Sequence, residues 1–106
     1  MQIVTTDSIE GKRVVAYKGI VSGDAIVGAN FVKDFFAKIT DVLGGRAGGY
    51  EKALRGAKNH AMNDMIEQAE EVGANAVIGV DLDYESIGGS MLMVSVNGTA
   101  VVLEDA

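Results

Sequence analysis

The chain has 106 residues, enough for one domain, with 48% apolar and 23% charged residues, the balance of a globular protein. Its formal net charge is −6, which argues against nucleic acid and an anionic membrane surface as partners. With no cysteine, disulfides and thiolate metal sites are excluded, and a metal that wants sulfur meets only methionine thioethers.

The first residues lack a basic flank followed by a long apolar run, and no stretch approaches the ~20 apolar residues that span a bilayer. A cytoplasmic location is the expectation. Fourteen glycines and no proline mean that chain reversals rest on Gly, Asn and Asp.

Residues 3–6 form a short β-branched run, read as an edge strand. Residues 7–12 are polar and contain Gly11, a turn. Residues 13–21 (RVVAYKGIV) read as a second strand, with Gly19 as a bulge or close-approach site. Ser22, Gly23 and Asp24 offer an end to it. The next run, AIVGAN, is ambiguous, but its Asn30 is a good helix N-cap.

From 31 to 43 the apolar residues Phe31, Val32, Phe35, Phe36, Ile39, Val42 and Leu43 recur at helical spacing. Gly44 and Gly45 stop that helix. A second helix is expected over 50–72, with Leu54, Ala57, Ala61, Met65, Ala69 and Val72 on its core face and Gly73 just past its end. Small residues dominate that face, so a neighbouring element can approach closely.

Residues 75–87 read as a strand and 91–103 as its return. Closing the hairpin over 88–90 sets Ile87 opposite Met91, Tyr84 opposite Val94, Leu82 opposite Val96, Val80 opposite Gly98 and Ile78 opposite Ala100. The other face then pairs Glu85 with Met93, Asp83 with Ser95, Asp81 with Asn97 and Gly79 with Thr99. One face is apolar throughout and the other mostly polar, without a change of phase. Asn97-Gly98 is a strong hairpin signal, yet this phase favours one long hairpin with Gly98 as a packing or bulge position. The order is β-β-α-α-β-β in a single domain, 1–106.

The blocks GGRAGGYEKAL, GANAVIGVDLDYE and SMLMVSVNGTAV, with the earlier GDAIVGANFVKDFFAKITDVLGG, resemble the YbjQ family of small bacterial and archaeal proteins. The resemblance covers nearly the whole chain, and the blocks are specific together. It implies a compact α+β subunit, dodecin-like, with a mainly antiparallel sheet packed on helices. It also implies assembly into a ring, a homopentamer. Members carry a heavy-metal-binding label. A chain with no cysteine and one histidine offers such a metal few of its usual donors.

Three constellations carry the chemistry. Asp81, Asp83 and Glu85 alternate along a strand, so their carboxylates line one face roughly 7 Å apart. Such a row suits a hard divalent cation, Mg²⁺, Mn²⁺ or Ca²⁺. It is equally a wet sheet face, or a rim paired to Lys or Arg of a neighbouring subunit. His60 and Asp64, with Glu67 one turn on, share one helix face and could hold Zn²⁺; the plain alternative is a solvated surface. The run Gly44, Gly45, Arg46, Ala47, Gly48, Gly49, followed by Tyr50, precedes a helix, where free N–H groups and an arginine can hold an anion. It is not a P-loop, since no Gly-Lys-Ser/Thr follows, and close packing at a subunit interface explains its glycines as well.

Together these features point to a non-enzymatic homo-oligomer that partners itself, with metal or a small anion in the clefts between copies. The competing reading is an enzyme or cofactor-binding protein in which Arg46, Tyr50, His60 and the acidic strand converge across an interface. One histidine and no cysteine give nucleophilic catalysis poor support.

Overall fold

The structure is a computed structural model that describes residues 1–28, 48–88 and 91–106. The predicted helix over 31–43, its Asn30 cap, its Gly44-Gly45 stop and Arg46 lie outside the described residues. The described elements are β1 (Gln2–Ile3), β2 (Lys12–Val27), α1 (Gly48–Glu71), β3 (Ala76–Ile87) and β4 (Met91–Asp105). The strands form one sheet in the order β1-β3-β4-β2. β1 runs parallel to β3, while β3–β4 and β4–β2 are antiparallel, so the α+β class holds with a mixed sheet.

α1 ends as its glycine requires. Gly73 has φ +81, and the N–H groups of Gly73 and Ala74 donate to the carbonyls of Glu70 and Ala69, both at 3.0 Å. This is a Schellman motif closed by an apolar contact, since Ala69 and Ala74 share one buried cluster. The expected core face is present at Ala61, Met65 and Ala69, all 0% exposed. Val72 departs from it at 43% exposed, because the chain leaves helical geometry there. The helix also starts earlier than 50, taking Gly48 and Gly49 into its first turn.

β2 is longer than expected. It does not stop at Ser22-Gly23-Asp24 but pairs with β4 as far as Val27. Gly23 is no turn: it lies under α1, where an added Cβ would sit 1.9 Å from the Ala61 carbonyl oxygen. Gly19, with φ +107, marks a register shift between Tyr17 and Gly19, the bulge its position suggested.

The β3–β4 hairpin is continuous through Asn97-Gly98, and its pairs from Ile87–Met91 to Asp81–Asn97 are those the alternation gave. Below Asp81 the register differs. Gly79 takes φ +59 and inserts one extra residue, so Ile78 pairs with Thr99 and Val77 with Ala100. The expected pairs Ile78–Ala100 and Gly79–Thr99 are therefore wrong by one residue, while Val80 falls within the bulge and still lies against Gly98. A one-residue slip turns side chains to the opposite face. Val77 and Val80 pack under α1 with Val94, Val96 and Ala100, while Ala76 and Ile78 join Val101 and Leu103 on the reverse face. Val4 and Ile9 cover that second cluster. The uniform apolar face expected from Ile78 to Ala100 is thus two cores, one on each side of the sheet.

Asn75 ties the start of β3 to β4. Its N–H donates to the Val101 carbonyl at 3.0 Å, its Nδ2 donates to the Leu103 carbonyl at 2.9 Å, and its Oδ1 accepts from the Leu103 N–H at 2.7 Å. The side chain continues the ladder in place of backbone. Asn75→Ala is expected to cost about 1 kcal/mol through the two lost bonds, read as a lower urea midpoint at unchanged slope.

α1 lies over β2 and β4 and barely touches β3. Leu82 and Tyr84, expected on a covered face, are accordingly 36% and 48% exposed. The principal extents are 55 × 25 × 16 Å and the radius of gyration is 17.1 Å, against about 13 Å for a compact chain of this length. The described residues are therefore extended and thin rather than compact. Among the described residues, no helix is long and apolar enough to cross a membrane.

Candidate functional site

The acidic row sits on the face of the sheet away from α1. Leu82 and Tyr84 pair with Val96 and Val94, which pack under the helix, so the alternating Asp81, Asp83 and Glu85 project from the other side. The two ladders set Asp83, Ser95 and Asp24 in one row across three strands, with Asp81, Asn97 and Ser22 in the next. Four carboxylates, those of Asp24, Asp81, Asp83 and Glu85, therefore share this face.

Their mutual repulsion is visible in Asp83. A hydrogen bond with Asp81 and the Asp81 charge raise its carboxyl above the ordinary 3.8, with a smaller contribution from Glu85. Because the folded state holds this proton to higher pH, the contribution to stability is present below the unfolded value and is lost as pH rises through the folded one. Asp81→Asn is expected to lower the Asp83 titration midpoint towards 3.8, measured by NMR titration of the side-chain carboxyl carbon. An unchanged midpoint removes the pairing.

His60 and Asp64 do meet on α1, with Nε2 3.5 Å from Oδ2, and both are substantially exposed. His60 also lines an open pocket of about 630 Å³ between the helix residues Ala53 and Ala57 and the end of β2 from Asp24 to Gly28. Its walls are mostly apolar, with the His60 imidazole among them. This pocket is not legible in the sequence, since it depends on β2 continuing past Gly23.

The sheet separates the two candidate metal groups. His60 and Asp64 lie on the helix, and Asp81, Asp83 and Glu85 lie on the reverse face, so they do not converge within one chain. Among the described residues, no three His, Asp or Glu side chains gather where one ion could bind them all. The described donors are carboxylates, one imidazole and methionine thioethers, of which Met65 is fully buried and Met1 and Met91 are exposed. With no cysteine, the chain lacks the thiolates that a soft heavy metal favours and offers it sulfur only as thioether. In the candidate anion loop, Gly48, Gly49 and Tyr50 occupy the first positions of α1, and Arg46 lies outside the described residues.

Two comparisons bear on identity. The fold is similar to a crystal structure of a protein of unknown function from the DUF74 family of Pediococcus pentosaceus. The TM-score is 0.65 with 14% identity, over 98% of each chain. A family profile described as "Putative heavy-metal-binding" matches residues 1–104. With that match spanning nearly its whole length, the chain belongs to the YbjQ family.

Proposed function

We propose that the protein is a non-enzymatic homo-oligomer, a ring of five dodecin-like subunits, whose clefts between copies hold a metal ion or a small anion. The observation that carries this reading is apolar exposure on a thin subunit. Ile20 is 85% exposed, Tyr17 72% and Ile26 59%, all on the outermost strand β2. An exposed strand with large apolar side chains is an aggregation hazard unless another chain covers it.

The donor groups suit sharing between copies. Each is a partial set: Asp81 with Asp83 on one face, His60 with Asp64 on the other. Completing the coordination of a hard or borderline divalent ion takes further oxygen or nitrogen ligands, which a neighbouring copy supplies. Native mass spectrometry of protein purified from its own cells tests both parts. A pentamer carrying retained metal or anion mass supports the reading; a monomer at micromolar concentration overturns it.

A further inference from the structure

Resting on the homo-oligomer reading, we propose that copies join head to tail, the acidic outer segment 81–87 of one copy lying against the basic first half of β2, residues 12–20, of the next. The first half of this contact is the unpaired edge of β3. On that edge, the N-terminal segment bonds β3 only up to the bulge: Val4 N–H donates to Val77, Val80 N–H to Val4 and Gly79 N–H to Thr6. From Asp81 onward, the outer side of β3 has no strand beside it among the described residues. There Asp81, Asp83 and Glu85 alternate with the exposed Leu82 and Tyr84.

The second half is the outer edge of β2. Its middle is already taken, since the Ser22 N–H donates to the Gln68 side chain at 3.1 Å and Gly23 lies under the helix. The open part is the first half, which carries Lys12, Arg13 and Lys18 with the exposed Tyr17 and Ile20. Lys12 and Arg13 are held by Asp105 and Glu104 of the same chain. Lys18 makes no ion pair among the described residues, so it is the cation left to answer the acidic row. The register shifts after Val14 and Tyr17 interrupt this edge, so few ladder bonds form across it. Charge sets the match, and the apolar side chains supply the buried area.

The charges also choose the symmetry. A two-fold contact of either edge with its own copy would place acid on acid or base on base, and like-charge juxtaposition is strongly unfavourable. Joining different edges is heterologous, the kind of contact that closes into a ring when its rotation permits.

The test uses the full chain as wild type, Asp81→Lys/Asp83→Lys, Lys18→Glu, and all three changes together. Sedimentation velocity over a concentration series reads the assembly, and circular dichroism checks that each variant is folded. Each one-sided reversal is expected to raise the dissociation constant by about tenfold or more, and the combined chain to recover most of that loss. The milder Asp83→Asn and Lys18→Gln chains, expected to weaken assembly less, serve if a reversal fails to fold. A wild type that assembles while every variant assembles equally well overturns this contact and leaves the oligomer reading standing. A combined chain no better than the single-sided reversals also overturns the contact. A monomeric wild type overturns both.

Discussion

Gly23→Ala is expected to lower the melting temperature by about 10 °C or more, because among the described glycines an added methyl group meets its closest neighbour here. The new Cβ would lie 1.9 Å from the Ala61 carbonyl oxygen, 2.9 Å from its carbonyl carbon and 3.0 Å from the Met65 nitrogen. All three neighbours are backbone atoms of α1, so no rotamer change relieves the clash. Helix and sheet must separate, and the fully buried Ala61, Met65 and Ala69 lose contacts together. Overpacking typically costs 1–3 kcal/mol, and about 3 kcal/mol is expected here because the obstacle is main chain. Gly98→Ala is the internal comparison. There the nearest atoms are the Val77 Cγ1 at 2.6 Å and the Val80 Cγ2 at 3.0 Å, both side-chain methyls, with the Ile78 carbonyl oxygen at 3.2 Å. A Gly23→Ala chain that melts like wild type would mean that α1 does not lie this close to β2.

Met65→Ala is expected to cost about 3 kcal/mol through the cavity it leaves. Met65 is 0% exposed and the largest side chain in the cluster between helix and sheet, beside Val21, Val94 and Val96. Its fully buried neighbours on the helix, Ala61 and Ala69, cannot reach into the space. Denaturant unfolding reads the loss as a lower midpoint. Met65→Leu keeps most of the volume and is expected to lose less than about 1.5 kcal/mol. Equal losses for Ala and Leu would show that shape rather than volume sets the site.

The sequence made some of this fold plain for identifiable reasons. Between Asp81 and Asn97 the hairpin has one apolar and one polar face, and strict alternation fixed both register and the face of the acids. Gly73 announced the helix end because only one conformation satisfies the last carbonyls. The run AVIGV hid the bulge. It is apolar on both faces, so moving Val77 and Ile78 by one position leaves no polar residue misplaced to signal it. Gly23 read as a turn because its reason for being glycine is Ala61, far along the chain.

The site divides in the same way. The His60–Asp64 contact followed from helical spacing alone. Whether it could meet the acidic row depended on which face of the sheet α1 covers, and that is settled by packing rather than by local pattern. The pocket beside His60 likewise depends on the length of β2.

The extra residue at Gly79 has a consequence for how the molecule opens. Because the strand swaps its inward side there, the helix covers one side of the sheet while Val4 and Ile9 of the amino-terminal arm cover the other. Ile3 of the same arm packs against the helix-side cluster, so lifting the arm would uncover part of both halves of the strand.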